Sequence, residues 1–336
     1  MPNIIHQPNN PVKGSDLKIF FLGTPEFALP ALEKLINSEF KPVAVFCAPD
    51  KPVGRKQILT PPPTKILAQK YNIPVFQPAN SYELADIIKS VSVDLIICVA
   101  YGLLLPKEVL DAPKFGCLNL HPSLLPKYRG ASPLQATILN GDQETGVTIF
   151  KIEEKMDTGP IAAKQEWQIN NQKLTTPELS KKLAEVGANL LLKILPDWLT
   201  GKITPTPQDD SLASYTKIIK REAGKIDWQK SAKEIEQQIR AFTPWPGTYA
   251  TLPSYSPNEV KGSKIKIIKA ESPDKQLYLE QSRRAGKIFL TDDKNLAVQT
   301  SNGCLIINEL QPEGGKTMSA SDFLRGHKNI IGTILT

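Results

Sequence analysis

The sequence predicts an α/β domain on a doubly wound, mostly parallel sheet, followed by a mostly β domain. Three observations carry this. Between residues 18 and 195, short apolar runs alternate with helical periodicity, the pattern of strands joined by crossover helices. From residue 264 onward, apolar runs succeed one another with little helix between them, as in a small sheet or barrel. A polar, proline-rich stretch (GKITPTPQDD, residues 201–210) lies between, and 336 residues allow roughly two domains.

Taken in order, residues 18–22 read as the first strand. Thr24 suits a helix N-cap, with Pro25 at the first helical position and Glu26 in the first turn, so a helix is expected through Ile36. Further strands are expected at 42–47, 74–76, 94–99, 116–120 and 146–150, and helices at 64–71, 82–89, 134–139 and 176–195. In the tail, 264–269, 286–290, 296–300 and 304–310 read as strands, and Asn302-Gly303 favours a tight hairpin.

Composition narrows the classes. Apolar residues make up 40% and charged residues 22%, an ordinary globular balance. The longest apolar stretch, residues 95–105, is well short of the ~20 residues of a membrane helix. The first sixteen residues lack the pattern of a signal peptide, so a cytoplasmic location is expected. Cys47, Cys98, Cys117 and Cys304 each sit in apolar surroundings with no C-x-x-C, which predicts buried free thiols. The net charge is +7, with a local concentration of Lys and Arg in 259–288 that would suit a polyanion. Gly23 alone follows the first strand, without G-x-G-x-x-G, and no Walker A motif occurs, so neither a dinucleotide nor ATP is expected.

One constellation carries chemistry. Asn119 and His121, two apart on a strand, share a face, and polar groups there belong at the strand's carboxyl end, where open α/β sheets bind ligands. Asp157, in Lys155-Met-Asp157-Thr-Gly159, is expected in a loop leaving the same sheet edge. An amide donor, an imidazole and a carboxylate suit acyl transfer to an amine: an oxyanion donor, a proton acceptor and a group that orients it. No Ser or Cys stands in a nucleophile-elbow pattern, so direct transfer is favoured over a covalent enzyme intermediate. Each residue also has a plain structural use: His-Pro can end a strand, Asn can cap a turn and Asp-Thr-Gly can form one. His6 and His327 read as structural or solvent-exposed.

At these residues the chain resembles a known family. Asn119-Leu-His-Pro-Ser-Leu-Leu-Pro126, Tyr128-Arg-Gly-Ala-Ser-Pro133, Gly146-Val-Thr-Ile149 and Met156-Asp-Thr-Gly159 are similar to the 10-formyltetrahydrofolate-dependent formyltransferases. Phe20-Phe-Leu-Gly-Thr-Pro-Glu-Phe-Ala28, Ala48-Pro-Asp-Lys-Pro-Val-Gly-Arg55, Ala223-Gly-Lys-Ile-Asp-Trp228 and Ile239-Arg-Ala-Phe-Thr-Pro-Trp-Pro246 resemble, within them, the methionyl-tRNA formyltransferase family.

The resemblance implies a flexible extension (1–16), a Rossmann-like catalytic domain (17–203), a basic linker (204–222) and an OB-like tRNA-binding domain (223–336). It implies formyl transfer from 10-formyltetrahydrofolate, as co-substrate, to methionyl initiator tRNA, by a monomer that needs no metal, nucleotide or membrane. Asn119, His121 and Asp157 match the catalytic positions. Ser123, Leu124, Leu125 and Pro126 match the folate signature, with main-chain groups of Tyr101, Gly102 and Leu103 beside the pterin. Arg55 and Lys56 match the loop that enters the tRNA acceptor stem, although Gly54-Arg55-Lys56-Gln57-Ile58 departs from the common G-R-G-K-K. Lys217, Lys220, Arg221 and Lys225 in the basic stretch 217–225, with Lys264 and Lys266 in the barrel's Lys261 to Lys269, are expected to bind tRNA phosphates. Trp245, between two prolines, is expected to pack at the domain junction. The competing readings are a formyltransferase for a small amine such as an amino sugar, and a non-catalytic RNA-binding protein.

Overall fold

The computed structural model describes residues 14–54, 56–253, 262–273 and 284–336. The chain divides into two compact units. The first runs to Pro133 and adds Glu144–Asn170 and Ser180–Thr216; the second comprises Leu134–Gln143, Asn171–Leu179 and Lys217–Thr336.

In chain order, the elements to the end of the first unit are β1 (Ile19–Gly23), α1 (Leu29–Ile36), β2 (Ala44–Phe46), β3 (Lys51–Val53), β4 (Ile58–Thr60), α2 (Pro63–Lys70), β5 (Val75–Phe76) and α3 (Ser81–Lys89). They continue as β6 (Leu95–Val99), α4 (Lys107–Leu110), β7 (Cys117–His121), β8 (Arg129–Gly130), α5 (Pro133–Leu139), β9 (Glu144–Lys151), β10 (Ile161–Gln168), α6 (Thr176–Leu199) and β11 (Tyr215–Thr216). Seven strands form one sheet in the order β10-β9-β7-β6-β1-β2-β5. From β7 through β6, β1 and β2 to β5 the pairing is parallel, while β9 runs antiparallel to β7 and β10 antiparallel to β9. The Rossmann-like expectation holds. β1 and β6 are apolar and buried at every position because central parallel strands are covered on both faces. On one side Phe20, Leu22, Phe46, Leu84, Ile88 and Ile96 pack together. Against β7 lies α6, with Gly187 where a Cβ would come within 2.7 Å of Leu120, so the missing side chain permits the close approach.

Two local expectations change. Thr24 is no N-cap: a 3-10 turn, Glu26–Ala28, precedes α1, and neither helical element has a side-chain cap at its start. Instead the Thr24 hydroxyl donates to the Tyr101 carbonyl (3.2 Å) and accepts from the Ala48 amide (3.1 Å), joining the loops after β1, β6 and β2. Residues 201–210 are also more than a polar connector. Within it Thr206 pairs with Ile161, and beyond it β11 pairs in parallel with β8, which fastens the chain from 206 to 216 to the first unit. Strand β10 had no sequence signal, being a half-polar edge with no fully buried residue.

The second unit contains α7 (Ala232–Ala241), β12 (Thr248–Thr251), β13 (Lys264–Glu271), β14 (Ile288–Leu290), β15 (Leu296–Gln299), β16 (Cys304–Pro312), β17 (Met318–Ser319) and α8 (Ala320–Gly326). The antiparallel sheet, β12-β13-β16-β15-β14 with β17 on β16, is the half-barrel expected of an OB-like domain. In β13, Ile265 and Ile267 point inward and Lys264 and Lys266 outward, the period of two of a half-covered strand. The core joins these isoleucines to Trp228, Ile235, Leu305 and Phe323. Gly303, at φ +84°, supplies the left-handed residue of the expected hairpin. Helix α7 begins with a reciprocal capping box between Ser231 and Glu234, a signal present in the sequence.

All four cysteines are free and buried, as expected. Trp245 is 58% exposed. Among the described residues no helix is long and apolar enough to cross a membrane, and no group of three or more His, Cys, Asp or Glu could hold a metal.

Candidate active site

Asn119 and His121 lie on β7, opposite Phe150 and Thr148 of β9. His121 is buried, and the edge of its ring meets Phe150 at a centroid separation of 6.5 Å. Its Nε2 is 3.0 Å from the Tyr128 carbonyl oxygen. A carbonyl only accepts, so Nε2 carries the hydrogen and Nδ1 of the neutral ring presents its lone pair. Burial pushes the imidazole pKa below its ordinary value, against the opposing pull of Asp157 and the Tyr128 carbonyl, and keeps the ring neutral. The Asn119 side chain is half-buried and hydrogen-bonds to no described residue, so its amide hydrogens are available to a ligand.

Asp157 Oδ2 stands 3.7 Å from His121 Nδ1 and accepts the Gly130 amide at 2.7 Å. It does not arrive as expected. Because β9 is antiparallel to β7, Lys151 lies opposite Leu118, and the segment after it leaves the sheet at the far end of β7 from His121 and turns back. Asp157 sits in this returning segment at φ +55°. The carboxylate oxygen and the imidazole nitrogen are therefore two acceptors facing one gap, which suits a donor such as an amine or a water.

The segment Ser123 to Pro126 is tied down through Thr148, whose hydroxyl donates to the Ser123 carbonyl (2.7 Å) and accepts from the Leu125 amide (3.0 Å). The Ser123 hydroxyl donates to the Lys127 carbonyl (2.6 Å). Ser123 and Leu125 are buried, while Leu124 and Pro126 are half-exposed and offer apolar surface. After β6, a neighbour of β7, Ala100 (φ +50°) and Gly102 (φ +94°) turn the chain sharply. Tyr101 is buried with its hydroxyl unpartnered among the described residues, Leu103 is half-buried and Gly102 is exposed, so main-chain groups are what this turn can present.

Arg55 lies outside the described residues, as does Lys261. Lys56 is exposed in the connection of the β3–β4 hairpin, which also exposes Val53, Ile58 and Leu59. At its base Lys65 Nζ reaches both Asp50 oxygens at 2.8 Å, and the hydrogen bonds from Lys65 and Gln77 hold the Asp50 carboxyl below its ordinary range. In the second unit Lys217, Lys220, Arg221, Lys225, Lys264 and Lys266 are all exposed, with Lys264 Nζ 4.9 Å from the Tyr249 ring centroid.

Sequence reasoning gave no role to Thr148, Arg129 or Gln208. Arg129 is fully buried and donates to Gln208, Tyr215 and Asp210. The available signals were a hydroxyl inside the apolar Gly146-Val-Thr-Ile149 run and a lone arginine beside Gly130.

Residues 17–195 match the family described as formyl transferase, and residues 218–328 match the formyl transferase C-terminal domain. The chain is 41% identical over 322 residues to the methionyl-tRNA formyltransferase of Bacillus cereus (strain B4264), covering 95% of this chain and 98% of that one. The chain belongs to the methionyl-tRNA formyltransferase family. A second member, from Bacillus thuringiensis subsp. konkukian, is 40% identical over the same length.

Solved structures of lower identity share the fold with this family member. An N-formyltransferase from Helicobacter canadensis, crystallised with folinic acid and dTDP-3-aminofucose, aligns at a TM-score of 0.62 and 22% identity, covering 90% of this chain and 100% of that one. HypX from Aquifex aeolicus in complex with tetrahydrofolic acid aligns at 0.60 and 18% identity, covering 92% of this chain; the formyltransferase chain spans about half of HypX (47%).

Proposed function

We propose that this chain transfers the formyl group of 10-formyltetrahydrofolate to the α-amino group of methionyl initiator tRNA, giving N-formylmethionyl-tRNA for translation initiation. The observation that carries this reading is the 41% identity to a methionyl-tRNA formyltransferase over almost the full length of both chains.

In the mechanism, the gap between His121 Nδ1 and Asp157 Oδ2 receives the amine. A free α-amine has a pKa of about 7.7–8.0, so a nucleophilic fraction exists near neutrality. As the new N–C bond forms, Asn119 donates a hydrogen bond to the oxygen that gains charge. His121, neutral through burial, takes the amine proton on Nδ1, and Asp157 stabilises the imidazolium. As the oxyanion collapses, the bond between the formyl carbon and N10 breaks, and the imidazolium gives the proton it took to N10, which leaves His121 neutral again. The half-exposed Leu124 and Pro126 with the main chain of Tyr101, Gly102 and Leu103 fit a flat, hydrogen-bonding pterin. The exposed lysines and Arg221 of the second unit would bind tRNA phosphates, and Lys56 the acceptor end.

The test offers 10-formyltetrahydrofolate with Met-charged initiator tRNA, Met-charged elongator tRNA, free methionine and a nucleotide-linked amino sugar in parallel, and identifies products by mass. Formylmethionine from the initiator alone supports the proposal. Formylation of the sugar amine without RNA would assign the chain to the small-amine class.

A further inference from the structure

Asp157 is not carried by a strand or helix. Its segment returns to His121 from the other end of β7, and its backbone stands at φ +55°, where an L residue stays only when its surroundings hold it. Gln208 supplies that hold. Its Nε2 donates to the carbonyls of Asp157 (2.9 Å) and Gly159 (2.7 Å), and its Oε1 accepts from Nε (3.0 Å) and Nη2 (2.9 Å) of Arg129. The guanidinium only donates and the carbonyls only accept, so the carboxamide has a single orientation. Arg129 is itself fixed by Asp210 (2.7 Å) and the Tyr215 hydroxyl (3.0 Å), and the residue after it, Gly130, donates to the Asp157 carboxylate.

We propose that Gln208, locked by buried Arg129, is a positioning residue that sets the distance between Asp157 and His121. Through it, the stretch after α6 becomes part of the support of the reacting site. The inference rests on the reading of Asp157 as a member of that site.

The experiment is a double-mutant cycle in formyl transfer with Gln208→Leu, Asp157→Asn and the double variant, alongside Gln208→Glu. Gln208→Glu keeps volume and the acceptor toward Arg129 but sets an oxygen against the two carbonyls. Displacing a reacting group by about 1 Å can cost on the order of 10²-fold, so Gln208→Leu and Gln208→Glu are expected to lower kcat by roughly ten- to a hundredfold with both KM values retained. Adding Gln208→Leu to Asp157→Asn should cost nothing further, because the glutamine acts through that carboxylate. Should Gln208→Leu fail to melt cooperatively, the Gln208→Glu arm carries the same test. A Gln208 variant at wild-type rate, a loss expressed in KM, or additive losses in the double variant would overturn the positioning role. An Asp157→Asn variant at wild-type rate would instead overturn the reading of Asp157.

Discussion

Two acceptors, His121 Nδ1 and Asp157 Oδ2, face one gap at 3.7 Å, while the Asn119 side chain hydrogen-bonds to no described residue. Removing an oxyanion donor typically costs 10²–10³ in kcat, so Asn119→Ala is expected to lose about that much with little change in KM. Steady-state kinetics at saturating tRNA check it, and a loss confined to KM would reassign Asn119 to binding. His121 also links the site to stability. Its pKa is lowered in the folded state by burial, whereas an unfolded histidine titrates near ~6.5. Below that pH the unfolded chain binds a proton that the folded chain refuses, so stability falls as pH drops and is unaffected above it. Thermal melts at about pH 7.5 and about pH 5.5 should show His121→Gln losing less Tm on acidification than wild type. Equal losses would mean that the folded imidazole titrates normally.

The turn that carries Asp157 depends on how closely it backs onto β9. A Cβ on Gly159 would lie 1.8 Å from the Lys151 carbonyl oxygen, a backbone atom with no freedom to yield. Gly159→Ala should therefore destabilise by roughly 1–3 kcal/mol and lower kcat as the carboxylate moves off His121, measured by melting and turnover together. An active, equally stable variant would contradict the packing. How readable each element was follows from the same physics. β1, β6 and β7 announced themselves because central strands must be apolar on both faces, and Asn119 and His121 stood out as polar groups inside such a run. β10 gave no sign because an edge exposed to water needs no apolar pattern. The cap expected at Thr24 failed because local propensity lost to tertiary bonds with Tyr101 and Ala48. The return of the Asp157 segment was hidden because the sense of β9 is set by pairing, which residues 146–150 do not encode by themselves. Arg129 and Gln208 were silent for a similar reason: a buried arginine and its half-buried glutamine are recognised by their pairing, far apart in sequence.

At the scale of the whole molecule, the net charge of +7 and the exposed basic side chains of the second unit predict a salt-sensitive grip on tRNA. Log affinity should fall linearly with log salt, and Lys266→Ala should reduce the slope by about one if that lysine neutralises one phosphate. Filter binding across a salt series reads this, and a flat response would remove phosphate binding from the account. The family assignment covers both units, since the relative from Bacillus cereus aligns over 95% of this chain. What joins that assignment to the geometry is the claim that formyl transfer occurs at the Asn119–His121–Asp157 cluster. Single-turnover transfer from 10-formyltetrahydrofolate to Met-charged initiator tRNA, run on wild type and His121→Ala side by side, tests this most directly. The account predicts N-formylmethionyl-tRNA from wild type and a rate lower by about 10²–10⁴ in a folded variant. No product from wild type, or a folded His121→Ala as fast as wild type, would contradict it.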